Sequence, residues 1–382
     1  MRDFVMTSEA VSAGHPDKLC DQISDAIVDG CLASGLRSGI NAECALATGV
    51  VFLSIHAEEE LAIDPAGIAR QVIAEAGYAA GPGGGGFSSP TVMLDLSLPD
   101  GRPARDRRHG TASHMVTAFG YACDSTPERM PMPIWMAHRM SRAIDQARRD
   151  GRIGWISPDA QAQAAVRFAD RRPVAIDAVA LRFGTRERVS DEVARAALIE
   201  EVVQPVLEEA RLESGGAPRI IIAGAEGEAG PLAHSGLTGR KSADDAYGSF
   251  IRRAGPSLSG KDPARIDRIA NYAARHAARN VLAAGLAREI EVQLSYVIGD
   301  AAPVSVEVDS FGTGTVGDEV ISARLKDKLD FRVAAIAERM GLWELPAARG
   351  GRFYRDLAVY GHMGRDDLAA PWEDTALAGE LA

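Results

Sequence analysis

Apolar residues recur at helical spacing in several long stretches of the chain. After Asp17 they fall at Ile23, Ile27, Val28 and Leu32, which places them on one face of a helix. The longest stretch of this kind runs from 263 to 286. The pattern predicts helices after residue 17 and over 63–76, 134–149, 190–209 and 263–286, with Ser190 as an N-cap of the fourth.

Runs of small and β-branched residues predict strands between these helices. Residues 45–55 suit a buried strand or hairpin, and the other predicted strands are 91–96, 174–183, 219–223, 289–298 and 304–311. Strands and helices alternate irregularly, which favours a multi-domain α+β architecture over a doubly wound sheet. No internal repeat is visible in the sequence itself.

A chain of 382 residues is longer than one hydrophobic core usually supports. We predict an N-terminal domain over 1–100, a central domain over 110–222 and a C-terminal domain over 223–382, with interleaving of the three. The glycine run at 81–86 and the charged segment 98–109 should both be loops. The second of these loops marks the first boundary.

Composition and charge restrict the class of function. The net charge of −11 argues against a general nucleic-acid binder, which normally has a basic surface. The chain has no apolar run long enough for a membrane span and no signal-peptide pattern at its start. Its four cysteines lack zinc-type spacing, so we expect reduced core residues in a cytoplasmic protein without membrane or nucleic-acid partners.

The segment Gly14-His15-Pro16-Asp17-Lys18 is the first candidate for chemistry. Glycine and proline predict a turn directly before a helix, whose N-terminus favours anions. There Asp17 can hold magnesium while His15 donates a hydrogen bond to a phosphoryl oxygen. The alternative is an ordinary helix start at which Asp17 only satisfies backbone donors.

A second candidate lies in the basic part of the chain between 240 and 279. It comprises Gly236–Lys241, Ser259–Pro263 and the pair Arg265 and Asp267 at a predicted helix start. Fixed cations of this kind can clamp a polyphosphate, with Asp267 sharing its metal. The alternative is a solvated basic face in which Asp267 is a local ion-pair partner.

Both candidates resemble signature segments of S-adenosylmethionine synthetases. Further segments of the same resemblance are Ala273-Ala274-Arg275, Asn280, Ala283–Leu286, Tyr360-Gly361-His362 and Pro371-Trp372-Glu373. The resemblance spans nearly the whole chain and implies an α/β (α+β) fold of three similar domains with pseudo-threefold symmetry. It also implies a homodimer or homotetramer whose active sites are shared between subunits.

The family's reaction is attack of the methionine sulfur on C5′ of ATP, which expels the triphosphate for cleavage to pyrophosphate and phosphate. Carried over by matching position, the resemblance implies the following roles in this chain: His15, Lys261 and Arg240 are catalytic; His15, Arg240, Lys241, Lys261 and Arg265 bind the phosphates; Asp17 and Asp267 hold Mg2+; and Glu43 is associated with K+. Arg265 stands where the family has lysine, which keeps the charge and changes the geometry.

Several positions depart from the family's pattern. Three positions of the family's amino-acid and ribose site that are acidic are His56, His114 and His234 here, and the family's Pro-Asp-Ala-Lys lysine, which faces the phosphates, is Gln161. Imidazole is neutral or positive near pH 7, so we expect a site with less negative charge and hypothesise an altered acceptor. The alternatives are histidines without a role and, less favoured, a metal site made of the three histidines.

Two other departures concern the base and the loop. The segment that packs on adenine in the family reads Gly224-Ala225-Glu226 and lacks an aromatic ring, and the loop after Leu98 carries Arg102, Arg105, Arg107 and Arg108. The loop is either a lid over an anionic substrate or a solvated segment.

The leading interpretation of the whole chain is an S-adenosylmethionine synthetase. The alternatives are a relative with a changed acceptor or nucleotide, and a non-catalytic partner of an active homologue.

Overall fold

A computed structural model describes residues 3–78, 87, 89–98, 110–212, 216–225 and 229–382. The predicted glycine-rich loop at 81–86 lies outside the described residues. So do Glu226 and the arginines at 102, 105, 107 and 108.

Three sheets form the framework of the described part of the chain. Their strands, in chain order, are β1 (Phe4–Val11), β2 (Ile40–Ala47), β3 (Val50–Ala57), β4 (Thr91–Ser97), β5 (Val116–Cys123), β6 (Ile156–Ala169), β7 (Arg172–Thr185), β8 (Arg219–Ala225), β9 (Gly236–Leu237), β10 (Glu289–Tyr296) and β11 (Ser305–Asp309).

Each sheet is built on one antiparallel hairpin, and the hairpins are β2–β3, β6–β7 and β10–β11. In each sheet, the first strand of the hairpin also pairs along its other edge, and its partner there comes from another part of the chain. In the first sheet β9 pairs with β2, in the second β1 pairs with β6, and in the third β5 pairs with β10. The three units therefore exchange their leading strands in a ring, and the prediction of an α/β (α+β) fold with three similar units is confirmed.

The helices cover one face of each sheet. In chain order they are α1 (Pro16–Ala33), α2 (Pro65–Ile73), α3 (Met132–Arg149), α4 (Asp191–Leu198), α5 (Gln204–Ala210), α6 (Ser242–Asp245), α7 (Ile266–Ala283), α8 (Asp318–Lys328), α9 (Val333–Arg339), α10 (Leu345–Ala348), α11 (Tyr354–Leu357) and α12 (Ala378–Leu381). A π-helical turn, Ala74–Tyr78, follows α2, and another, Ile199–Val203, joins α4 to α5.

The three longest helices have the same place in the three units. Helices α1, α3 and α7 each have 18 residues, and each follows the leading strand of its unit. Helix α1 packs on β2, α3 on β6 and α7 on β5 and β10. None of the described helices combines the length and apolar character needed to cross a bilayer.

One buried ion pair joins α1 to α7. Asp25 and Arg268 are fully buried and form an ion pair. Arg268 also donates from Nε to the carbonyl of Leu258 at 2.6 Å and from Nη1 to the carbonyl of Lys261 at 2.8 Å, and Asp25 accepts from the amide of Gly260 at 2.8 Å. The pair therefore holds residues 258–261 between the two helices.

Removing one partner of this pair should unfold the protein more easily. In Asp25→Ala the guanidinium of Arg268 stays buried without a carboxylate, so we expect the free energy of unfolding to fall by about 3–5 kcal/mol. Urea unfolding at one fixed protein concentration measures this. The matched control is Arg332→Ala, which removes the guanidinium of an exposed pair with Asp330 and should change the same quantity by less than about 1 kcal/mol. Equal losses in the two variants would contradict the assignment.

Candidate functional site

His15 caps the N-terminus of α1. Its Nδ1 accepts a hydrogen bond from the amide of Asp17 at 3.2 Å, and Pro16 occupies the first turn. Because Nδ1 is the acceptor, the neutral ring carries its proton on Nε2. Burial lowers the pKa of His15 to about 4, although the carboxylates of Asp159 and Asp17 act in the opposite direction. At neutral pH His15 therefore offers an N–H donor from Nε2.

Two glycines allow three backbone segments to meet around His15. A Cβ on Gly14 would lie 2.2 Å from Cβ of Pro158, and a Cβ on Gly236 would lie 2.2 Å from the carbonyl oxygen of Pro16. Real Cβ atoms do not approach so closely, so a larger residue at either position would push the segments apart. These two contacts set the segments around residues 158 and 236 directly against the start of α1.

The side chains that these segments bring to His15 are Asp159, Gln161 and His234. Nε2 of His234 lies 3.0 Å from Oδ2 of Asp159, and Nε2 of Gln161 lies 3.5 Å from Nε2 of His15. The rings of His15 and His234 have their centroids 5.0 Å apart. We call His15, Asp17, Asp159, Gln161 and His234 the His15 cluster.

Asp159 is a member of the cluster that the sequence analysis did not single out. Its Oδ2 also accepts from the amide of Gly230 at 2.9 Å. Burial opposes ionisation of Asp159, but the hydrogen bonds from His234 and Gly230 and the nearby His15 lower its pKa overall. The sequence did contain a signal for Asp159. It is the aspartate of the segment that corresponds to the family's Pro-Asp-Ala-Lys, from which only Gln161 was taken as a candidate.

Asp17 connects the start of α1 to the segment Gly236–Lys241. Its Oδ1 accepts from the amide of Leu237 at 3.1 Å and lies 3.4 Å from Nη1 of Arg240. Arg240 is half exposed, and Nζ of Lys241 lies 3.8 Å from Oε1 of Glu9. The cap of the helix is therefore His15, whereas Asp17 has one carboxylate oxygen engaged with the basic segment.

Lys18 of the same motif is part of the framework. It is fully buried and forms ion pairs with Asp21, at 3.0 Å, and with Asp245. Asp21 in turn accepts from the amide of Gly239 at 2.7 Å. Through Asp21, Lys18 therefore fixes the position of the segment Gly236–Lys241.

A second group of candidate residues lies where α7 begins, beside β2. Nζ of Lys261 lies 3.1 Å from Oδ2 of Asp267, and Nη2 of Arg265 lies 3.8 Å from the same oxygen. Lys261 forms a backbone bridge with Asn41, whose side-chain amide donates to Glu43 at 3.3 Å. Burial lowers the pKa of Lys261, and the carboxylate of Asp267 opposes this. We call Asn41, Glu43, Lys261, Arg265 and Asp267 the Lys261 cluster.

The predicted site residues therefore fall into two clusters in one chain. Among the described residues, no hydrogen bond or ion pair joins the His15 cluster to the Lys261 cluster. His56 lies opposite Asn41 in the β2–β3 pairing and lines one groove with Arg265. His114 is exposed in the bend before β5.

The alternative of a metal site made of His56, His114 and His234 is wrong for a single chain. In the part of the chain that the structure describes, the one group of three ligand-type side chains with all ligand atoms within 4.8 Å is His15, Asp159 and His234. His234 is thus a neighbour of His15 and Asp159. The other two histidines lie elsewhere on the surface.

Family models match the chain in three consecutive parts. The S-adenosylmethionine synthetase N-terminal domain matches residues 3–98, the central domain 109–225 and the C-terminal domain 228–374. The chain belongs to the S-adenosylmethionine synthetase family. The strand exchange described above runs between these three matched parts, because β1, β5 and β9 each lie in the sheet of another part.

Curated members of this family are similar to the chain along its whole length. The S-adenosylmethionine synthase of Trichormus variabilis is 41% identical over 405 residues, which cover 100% of this chain and 96% of that protein. The enzyme of Synechococcus sp. strain CC9902 is 40% identical, with 100% and 99% covered. That of Thermosynechococcus vestitus is 40% identical, with 99% and 97% covered.

The protonation state of His15 is directly testable. Because burial lowers its pKa to about 4, its ring should stay neutral with the proton on Nε2 from about pH 5 to 8, where an ordinary histidine titrates. Nitrogen-15 NMR of labelled histidines checks this, with the His15→Gln variant assigning the signal. Two protonated ring nitrogens at pH 6 would contradict the prediction.

Proposed function

We propose that the protein forms S-adenosylmethionine from ATP and methionine and releases pyrophosphate and phosphate. The observation that carries the proposal is the neutral His15, which offers an Nε2–H donor at the N-terminus of α1 beside Asp17 and Arg240. Membership of the family and full-length similarity to curated S-adenosylmethionine synthases support it.

In the proposed reaction, His15 interacts with the oxygen that leaves C5′. A thioether is a weak nucleophile, so catalysis must come from positioning and from stabilising the leaving group. A neutral imidazole can donate its Nε2 proton as a hydrogen bond to the departing oxygen without repelling nearby cations. The amides at the start of α1 favour the same anion.

The triphosphate would be bound by cations from both clusters. Arg240 and Lys241 belong to the segment that Lys18 and Asp21 hold in place, and Lys261 and Arg265 are fixed by Asp267. The expelled triphosphate carries several negative charges, and fixed cations stabilise it at no reorganisation cost during the reaction. Of these side chains, His15, Arg240 and Lys261 are proposed to be catalytic.

Asp17 and Asp267 fit a role as magnesium ligands. Each has one carboxylate oxygen, Oδ1 of Asp17 and Oδ2 of Asp267, engaged with a donor of the protein, so that the second oxygen of each can bind a hard cation. When bound, magnesium would neutralise and orient the phosphate oxygens. Glu43, which accepts from Asn41 through one oxygen, is proposed as the potassium-associated carboxylate.

A shared active site would explain why the two clusters do not meet within one chain. The outward face of the first sheet exposes Phe52 (42%), Met93 (54%) and Leu237 (43%). Phe52 pairs with Met93, and Ala45 of β2 lies between Phe52 and Leu237 in the same row across the sheet. An exposed apolar face beside both clusters suits contact with a second copy. We therefore propose a homodimer, or a homotetramer made from it, and a cytoplasmic location consistent with four buried free cysteines.

Two of the departures from the family's pattern offset each other in charge. By the resemblance, an aspartate at 234 and a lysine at 161 have become His234 and Gln161, and both are neighbours of His15. One negative and one positive charge are exchanged for two groups that need not be charged. This half of the site keeps its charge balance, so methionine remains the acceptor that we propose.

An activity assay tests the proposed formation of S-adenosylmethionine. Incubation with ATP, methionine, magnesium and potassium should give S-adenosylmethionine, identified by mass spectrometry, and chelation of magnesium should abolish it. Lys261→Ala and Asp267→Asn should each lower kcat by about 100-fold or more, because each removes charge stabilisation of the leaving group. Lys328→Ala, which alters an exposed lysine of α8, should leave the rate unchanged.

Two other results would redirect the proposal. Triphosphate release without S-adenosylmethionine would favour a changed acceptor. No turnover with any nucleotide would favour a non-catalytic partner of an active homologue.

A double-mutant cycle tests the charge exchange at His15. His234→Asp and Gln161→Lys should each lower kcat/KM for methionine by about 10-fold, because each adds one uncompensated charge near His15, an energy of about 1.4 kcal/mol. The double variant should recover most of this loss. Additive losses would show that the two positions act independently.

A further inference from the structure

His15, Asp159 and His234 together present two imidazoles and a carboxylate to one point. Their ligand atoms all lie within 4.8 Å of one another, and the pair His234 Nε2 and Asp159 Oδ2 is already at 3.0 Å. A mixed set of nitrogen and oxygen ligands differs from the all-oxygen sets that magnesium prefers. It is typical of sites for zinc and neighbouring transition metals.

A separate observation points to a missing ligand at Asp159. Only 2% of this residue is exposed, and its Oδ2 receives both the Gly230 amide and the His234 ring. Its Oδ1 is buried and has no hydrogen-bond partner among the described residues. Leaving a buried carboxylate oxygen unpaired is costly, and a bound cation would offset that cost.

We propose that His15, Asp159 and His234 form a binding site for one zinc-class divalent cation, distinct from the proposed magnesium ligands Asp17 and Asp267. His234 is about one-third exposed, which gives an ion access from solvent. Three protein ligands leave a fourth position of a tetrahedral site for water or for a substrate atom.

Small side-chain movements complete the site. Zinc–ligand bonds of about 2.0–2.1 Å bring ligand atoms to within about 3.5 Å of one another, so the cluster has to close by roughly 1 Å, and the partly exposed His234 has room to move. If His15 binds through Nε2, its ring proton moves from Nε2 to Nδ1. Oδ2 of Asp17 lies 3.8 Å from that nitrogen and can accept the hydrogen bond that orients the ring, as outer carboxylates do at zinc sites.

One consequence rests on the proposed function. An ion on Nε2 of His15 removes the donor that would stabilise the leaving oxygen, so zinc should inhibit S-adenosylmethionine formation. Binding itself is measured without nucleotide or methionine, and its outcome is therefore independent of whether the proposed activity is found.

The experiment is a zinc titration of the full-length protein after dialysis against a chelator. Isothermal calorimetry should show one zinc per chain, and Co2+ at the same site should give the visible absorption of nitrogen and oxygen ligation. His234→Ala and Asp159→Asn should each weaken zinc binding by about 10-fold or more, at least the loss seen when outer ligands are removed. His56→Ala, which removes a histidine outside the His15 cluster, should leave the affinity unchanged.

Circular dichroism melting establishes that each variant is folded, and the conservative Asp159→Asn change limits the risk at the buried position. The proposal is overturned if the protein binds no zinc, or if His234→Ala binds it as tightly as the unmodified chain. It is also overturned if binding depends on His56 and not on Asp159, because the ion would then be held by a different set of residues.

Discussion

The buried pair of Arg268 and Asp25 is the contact on which the arrangement of the Lys261 cluster depends. Arg268 uses its remaining donors on the carbonyls of Leu258 and Lys261, so the backbone that carries Lys261 is fixed between α1 and α7. A buried pair of this kind contributes less to stability than its short contacts suggest, because both charges lose their hydration. Its clearer effect is to fix where residues 258–261 lie relative to α1 and α7.

The same principle recurs nearer the N-terminus of α1, on the same face of the helix. Lys18, Asp21 and Asp245 form a fully buried charged group beneath the segment Gly236–Lys241. Ionisable residues in and beside the signature segments thus divide into two kinds. His15, Asp17 and Lys261 face the clusters, whereas Lys18 and Arg268 hold the backbone that presents them. Both kinds are ionisable side chains that lie close together in sequence, so residue type alone does not separate them.

Much of the fold could be predicted from the sequence, and the exceptions have physical reasons. The long helices and the hairpin around 45–55 were found at nearly their observed places because their apolar spacing is clear. Strand β6 was missed because its buried face is mostly alanine, at 160, 162 and 164, and alanine alternating with glutamine is a weak strand signal. In the candidate site, the motifs named the correct segments. Their grouping into two clusters was not predictable, because it depends on strand pairings between residues more than a hundred positions apart.

The ring of exchanged strands has a consequence for how the chain acquires its structure during synthesis. The first sheet lacks β9 until residue 237 has left the ribosome, although its hairpin ends at residue 57. The central sheet takes β1 from the beginning of the chain, and the third takes β5 from before the central hairpin. Contacts so distant in sequence form slowly, and a partly made chain presents unpaired strand edges that invite aggregation. The three units should therefore mature together, late in synthesis, as one cooperative body.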